Sequence, residues 1–269
     1  MNDMGSKVSV IMAAYNCEET VRDSIDSILD QSYTNWELII CNDGSTDRTG
    51  EILAEYQKLY PKKIKVLHNR KNSQLPYSLN RCLKYAKGEY IARMDADDRS
   101  YENRLEKQAA FLDAHPELEV VGTAMTVFNG ENEIGVNYPP KEPAGTIIGP
   151  SVPFFHATIM MRKTAYDFLG GYSLKRSSIR CEDVELWLRF FGEGFHGANI
   201  QEPLYYVRED IHAVKRRKIK YALNVAVTLL NGYRKYHYPI RQYIYVLKPI
   251  ISVSIPKKIK YAVNQRRWR

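Results

Sequence analysis

Cysteine is scarce in this chain, with four in 269 residues, at positions 17, 41, 82 and 181. None stands in a C-x-x-C pair, which excludes the common zinc and dithiol redox motifs, and their spacing excludes a dense disulfide framework. A reducing cytoplasm is the expected home. A Gly-rich phosphate loop is missing too. The first apolar run is followed by Ala13-Ala14-Tyr15-Asn16-Cys17-Glu18, with neither glycine nor a basic residue, which counts against a sugar-phosphate nucleotidyltransferase. Nor is there a membrane-spanning run. The longest charge-free stretch, Pro143 to Met161, holds Pro143, Pro150 and Pro153 among Gly, Ser, Thr and His. Val8 to Cys17, apolar after Lys7, is interrupted by Asn16 and followed at once by Glu18 and Glu19, so it reads as a strand and not as a signal peptide.

The last absence concerns charge of one sign. From Ile211 to Arg269 there is no Asp or Glu, while 15 Lys or Arg lie there. All 31 acidic residues therefore precede this segment, against 24 of the 39 basic ones. An acidic body carries a basic, Tyr-rich tail, which is expected to be drawn to something anionic, either a membrane surface or nucleic acid.

What is present is an ordinary folded composition, 44% hydrophobic and 26% charged, in a chain long enough for one large domain or two small ones. Val8–Ala14, Glu37–Cys41, Ile64–His68 and Tyr90–Met94 read as strands, separated by helical patterns over Glu18–Gln31, Thr46–Tyr60 and Pro76–Lys87. Asn16 and Glu19 are placed like a capping pair for the first helix, and Gly88 is placed to end the third. Such β-α alternation predicts a parallel sheet covered on both faces, with ligands beyond the carboxyl ends of the strands. After a helix over Tyr101–His115 the pattern becomes mixed: β-rich stretches at Val120–Phe128 and Ala157–Met161, a helix near Glu182–Gly192, and a strand near Leu204–Val207. In the tail, Ile219, Leu223, Ala226, Val227 and Leu230 form one helical stripe. Ile255, Ile259, Ala262 and Val263 form another, opposite Lys257, Lys258, Lys260, Arg266 and Arg267.

Three polar clusters fall where this architecture puts strand ends or a helix start: Asn42-Asp43-Gly44-Ser45-Thr46-Asp47, Asp95-Ala96-Asp97-Asp98, and Glu182-Asp183. Taken singly, the first has the composition of a turn and a helix cap, and Glu182-Asp183 that of solvated first-turn acids. His156 alone reads as a structural histidine, and Trp187 as core or cleft wall. The second cluster differs, since carboxylates crowded at a strand end repel one another unless a cation is present. Asp95-x-Asp97 suits a hard cation shared with phosphate oxygens.

Together these segments resemble family 2 glycosyltransferases of the GT-A fold, from about Val8 to Arg208. The resemblance rests on an ordered set: Val8-Ser9-Val10-Ile11-Met12 with Tyr15-Asn16 and Glu18; Asp43-Gly44-Ser45-Thr46-Asp47; Asn72 and Asn80 before Gly88-Glu89-Tyr90-Ile91; Asp95-Ala96-Asp97-Asp98 with Arg104-Leu105; and Glu182-Asp183 followed by Leu186-Trp187-Leu188-Arg189. Ala13 stands where the family usually has Pro, Asn42 replaces the first of two common Asp residues, and Glu102 replaces a usual Pro.

The resemblance implies an α/β fold with a nucleotide-sugar half (1–98), a mixed acceptor-side half (99–210) and the basic helical tail (211–269). It implies an inverting hexosyl- or N-acetylhexosaminyltransferase using Mn²⁺ or Mg²⁺ and a donor of the UDP-sugar type. Tyr15 would pack on the base, Asp43 would bond its edge, Asn72 would line the donor site, and Asp95 would contact the ribose and help hold the metal, which is bound by Asp97. Asp183 matches the general base and Glu182 its acidic neighbour. His156 and Trp187 fall on the acceptor side, and Arg208 or His212 would steady the diphosphate. The expected acceptor is a saccharide or lipid-linked saccharide of bacterial surface-polysaccharide synthesis, on a protein lying at the inner face of the membrane. No nucleic-acid partner is expected. A basic nucleic-acid-binding protein remains the rival class, to be separated by turnover of nucleotide sugars.

Overall fold

The computed structural model describes residues 7–209 and 219–254. The first half follows the β-α alternation: β1 (Val8–Ala14), α1 (Val21–Leu29), β2 (Trp36–Asn42), α2 (Thr49–Leu59), β3 (Ile64–His68), α3 (Leu75–Tyr85) and β4 (Tyr90–Asp95). Strands β3, β2, β1 and β4 lie side by side in parallel. Their near-continuous apolar character has a simple cause. Val8, Val10 and Met12 pack into one core layer and Ile11 into the other, so both faces of the sheet are covered.

The second half continues the same sheet with mixed polarity. It comprises β5 (Arg99–Ser100), α4 (Arg104–Ala114), β6 (Val120–Phe128), β7 (Glu133–Asn137), β8 (Met160–Arg162), α5 (Lys163–Leu169), α6 (Glu182–Gly192) and β9 (Gly197–Arg208). The strand order is β3-β2-β1-β4-β8-β6-β9-β5, with β7 paired to β6. Strand β8 pairs antiparallel with both β4 and β6, while β6 and β9 run parallel. Arg104 fastens the junction from a fully buried position. It donates to the Arg93 carbonyl at 2.7 Å, to Gln108 Oε1 at 2.9 Å and to Ser100 Oγ at 3.0 Å, and it lies over the Tyr205 ring. Burial pushes its guanidinium down to about 10.

Two local expectations are corrected. Asn16 and Glu19 do not cap α1, whose first turn follows Thr20 without a side-chain cap; Asn16 Oδ1 instead accepts the Thr46 N–H at 2.9 Å. Gly88 does not end α3. It lies against β1, where a Cβ would come within 2.6 Å of the Lys7 carbonyl, and its N–H donates to Ser9 Oγ at 2.8 Å.

Residues 219–254 form α7 (Ile219–Lys235), a 3-10 segment (Ile240–Leu247) and α8 (Lys248–Ser254). The buried face of α7 is Ala222, Ala226, Leu229 and Tyr233, displaced around the helix from the expected stripe, of which Ile219, Leu223 and Val227 are exposed. Helix packing is close at one point, where a Cβ on Gly232 would lie 2.6 Å from Leu188 of α6, and the inward face mixes the small Ala222, Ala226 and Gly232 with Leu229 and Tyr233. The expected stripe from Ile255 onward lies outside the described residues. Among the described residues no helix is long and apolar enough to cross a membrane.

Candidate active site

The loops after β1 and β2 are laced together. Asn16 N–H donates to Ser45 Oγ (3.1 Å), Cys17 N–H to Thr49 Oγ1 (2.8 Å), Glu18 N–H to Asp47 Oδ2 (3.1 Å), and Arg48 N–H back to Glu18 Oε2 (3.0 Å). Asn42 Oδ1 accepts the Ser45 N–H at 3.0 Å, so this departure from the family pattern shapes the turn. Gly44 sits at φ +73°, and a Cβ there would lie 2.5 Å from the Lys71 backbone. Asp43 is buried, with Oδ1 accepting from Asn69 Nδ2 (2.6 Å) and the Ser73 N–H (2.8 Å).

This scaffold forms one wall of a cleft with two compartments that meet at Tyr15, which is 47% exposed. The first, about 370 Å³, is lined by Asp43, Asn72, Pro76, Arg180, Glu182 and Tyr221. The second, about 790 Å³, is lined by Glu18, Asp47, Arg93, Asp95, Asp97 and Arg208. The structure thus brings together Tyr15, Asp43, Asn72, Asp95, Asp97, Glu182 and Arg208. Arg208 is held by its environment: its Nε donates to the Asp97 carbonyl (2.9 Å), its N–H to Asp98 Oδ1 (2.8 Å), and its guanidinium lies over the Phe128 ring. His212 lies outside the described residues.

The acidic cluster after β4 is not relieved by a cation alone. Arg93 Nη2 donates to Asp95 Oδ1 at 2.8 Å. Asp98 is buried, and burial together with the charges of Asp95 and Asp97 pushes its carboxyl well above the ordinary range. Asp95 and Asp97 share one compartment and offer only hard oxygen atoms. Among the described residues no group of three or more His, Cys, Asp and Glu could hold an ion by itself. The site therefore fits a divalent cation held by one or two carboxylates and completed by phosphate oxygens of a ligand.

Glu182 and Asp183 open α6 and are partly buried, not solvated first-turn acids. Burial raises both carboxyls above their ordinary range, while Arg93 pulls both back. The Val184 N–H, donating to Asp183 Oδ1 at 2.8 Å, lowers the latter further. Asp183 and Trp187 do not line the two compartments above; they line a neighbouring cavity of about 360 Å³. Trp187 is buried and meets the His156 ring edge to face at 5.3 Å. His156 Nε2 shares a 3.0 Å hydrogen bond with the Tyr172 hydroxyl, and burial, with Arg93 nearby, holds its imidazole well below the ordinary range, hence neutral.

Sequence reasoning missed Arg93, Asn69, Tyr172 and Tyr205. Only Arg93 left a signal, a lone charge inside the apolar run Tyr90-Ile91-Ala92-Arg93-Met94.

The profile of the Glycosyl transferase family 2 matches residues 9–180. EpsE of Bacillus subtilis (strain 168), a protein classed as a glycosyltransferase, is 48% identical over 263 residues, covering 98% of this chain and 95% of its own. The Escherichia coli UDP-Glc:alpha-D-GlcNAc-diphosphoundecaprenol beta-1,3-glucosyltransferase WfaP is 28% identical over 250 residues, 91% of this chain and 94% of its own. Among solved structures, S. aureus TarS 1-349 in complex with UDP superposes with a TM-score of 0.64 at 22% identity, over 92% of this chain and 70% of that one. The Pyrobaculum calidifontis mannosyltransferase PcManGT, in complex with GDP-Man and Mn²⁺, does so at 0.66 and 16% identity, over 98% and 83%. These two likenesses show the GT-A fold.

Proposed function

The chain belongs to glycosyl transferase family 2, and on that premise we propose that it is an inverting, metal-assisted transferase moving a hexose or N-acetylhexosamine from a UDP-sugar to a hydroxyl of a saccharide or lipid-linked saccharide. The observation that carries this reading is convergence on one guanidinium. Arg93 pairs with Asp95 in the donor compartment, and its charge lowers the carboxyls of Glu182, in the adjoining compartment, and of Asp183, in the neighbouring cavity, so acids from both halves of the chain share one electrostatic centre.

In this reading the base lies in the first compartment, stacked on exposed Tyr15, with Asp43 held by Asn69 and Ser73 to meet its edge and Asn72 alongside. Asp95 contacts the ribose. Asp97, with Asp95, would hold Mn²⁺ or Mg²⁺, which would supply positive charge against that building on the departing diphosphate. Arg208 lines the same compartment and backs the Asp97 carbonyl, with His212 the alternative partner for the diphosphate. The Asp183 carboxylate, accepting the proton of the acceptor hydroxyl, frees that oxygen to attack the anomeric carbon. The bond from that carbon to the diphosphate oxygen breaks with its electron pair leaving on the nucleotide. One base, and attack opposite the leaving group, invert the anomeric configuration. Burial raises the Asp183 carboxyl, which favours it as a base, while the Val184 N–H and Arg93 oppose that rise. Neutral His156 and Trp187 face the acceptor side.

We assign 1–210 to the transferase unit, on which α7 and α8 pack, and 211–269 as a whole to a basic segment suited to an anionic membrane surface at the cytoplasmic face. The test of the chemistry is UDP release from UDP-glucose, UDP-galactose and their N-acetyl forms, with and without Mn²⁺. Release from one of them, stimulated by the cation, is expected; turnover of only GDP- or dTDP-sugars would overturn the uridine assignment.

A further inference from the structure

Glu182 and Asp183 are neighbours that serve different chambers. Consecutive helical residues project about 100° apart, and Glu182 lines the donor cleft while Asp183 lines the separate cavity of about 360 Å³. That cavity lies between the loop around Gly149–Pro153, the first turns of α6, and the C-terminal helices α7 and α8. Its size falls within the roughly 300–1,000 Å³ of small-molecule sites. Its wall is largely apolar, with Val152, Val184 and Val225 beside Trp187, and it carries one cation, Lys248. The Lys248 ammonium donates to the Gly149 carbonyl at 3.1 Å and to the Pro150 carbonyl. An ammonium has three donors, so one is left for an anionic oxygen.

Exposed apolar residues lie on or next to this lining: Val152 is 46% exposed, and Leu247 and Ile251, chain neighbours of the lining residues Lys248 and Ser252, are 53% and 59% exposed. In the preceding 3-10 segment Ile244 and Ile240 are 69% and 83% exposed. The charges within residues 219–254 have one sign, with Lys220, Arg234, Lys235, Arg241 and Lys248 and no acid. A neutral sugar needs neither the cation nor the apolar ridge; an anionic amphiphile needs both.

We propose that this cavity is the acceptor port and that it takes a saccharide carried on a lipid diphosphate. The sugar sits against Asp183 and Trp187, the diphosphate meets Lys248, and the alkyl chain runs out over Val152, Leu247 and Ile251. This rests on the reading of Asp183 as the base and adds the residues that choose the acceptor. The donor cleft is left free while the port is filled, because the two chambers share no lining residue.

The test is calorimetry with farnesyl diphosphate on the full chain saturated with UDP and Mn²⁺. Farnesyl diphosphate is expected to bind, with inorganic diphosphate and farnesol each at least tenfold weaker under the same conditions. Lys248→Gln is expected to weaken it at least tenfold with UDP affinity unchanged, and Lys248→Arg to restore most of the loss. Because Lys248 also braces the Gly149–Pro150 loop, Val152→Asp provides a second variant that removes no hydrogen bond and is expected to weaken binding similarly. Exclusion of farnesyl diphosphate by UDP would place it in the donor cleft and overturn the proposal. So would indifference to both substitutions, or farnesol binding as tightly as the diphosphate. Failure of UDP to bind at all would instead strike the donor-site reading.

Discussion

The donor wall and the acceptor wall of this protein are built by different physics. The donor wall is two short loops at the ends of adjacent parallel strands, β1 and β2, stitched by side chain to backbone bonds between residues 29 to 32 positions apart. Its groups are polar, satisfied and local in sequence, so a motif can specify them. The acceptor wall is assembled from a loop near 150, the start of α6 and two C-terminal helices, and it holds together by packing, with Gly232 against Leu188 and the Tyr233 hydroxyl donating to the Ile148 carbonyl. Packing tolerates many side chains of similar volume, so little of it is written as a pattern.

Asp183→Asn would sharpen this division most. It is expected to lower turnover by at least ~10²-fold, the scale of lost general-base catalysis, while UDP affinity measured by calorimetry stays near that of the unaltered chain. A folded variant with near-normal transfer would remove Asp183 from the chemistry. Asp97→Ala is the reverse experiment on the donor wall. It is expected to weaken Mn²⁺-dependent UDP binding by at least about tenfold, since a carboxylate that would hold the cation is removed. Unchanged affinity would move the cation elsewhere.

Gly44→Ala probes the scaffold and not the chemistry. The forced left-handed backbone and the clash with Lys71 are expected to cost about 1–3 kcal/mol, read as a lowered melting temperature with UDP binding weakened in parallel. Arg93→Met tests whether the two walls share one electrostatic centre. Activity requires Asp183 ionised, so it is lost as pH falls through the raised value of that carboxyl. Arg93 opposes the rise, so its removal should move the acid limb of kcat/KM to higher pH, and Arg93→Lys should move it back. An unshifted limb would break the link between the walls. The smallest effect concerns the tail: binding to anionic liposomes, weakened by salt and by deletion of residues 254–269, with little binding to zwitterionic vesicles.

Much of the fold was legible because it is local. The 2-residue and 3.6-residue periodicities gave β1, β3 and β6 and the start of α6 at their observed bounds, since burial on both sheet faces demands apolar runs and a helix needs one apolar stripe. The errors have a common cause. Asn16 and Gly88 carry the signatures of a helix cap and a helix stop, yet each is used by a partner remote in sequence, the turn after β2 and strand β1. In α7 the hydrophobic pattern shared only Ala226 with the buried face, which is built from Ala222, Ala226, Leu229, Gly232 and Tyr233 where α7 closely approaches α6.

The sequence by itself determined the parallel core, the ordered acidic motifs and the opposed charge of body and tail, all of which depend on residue type at fixed spacing. Only the tertiary structure decided which of those acids meet. The buried Arg93 hydrogen-bonds Asp95, and its charge lowers the carboxyl of Asp183, 88 positions beyond Asp95 along the chain. Adjacent Glu182 and Asp183 were parted into separate chambers by the turn of a helix, and the wall facing Asp183 was drawn from the C-terminal helices, whose contribution is a matter of packing in space.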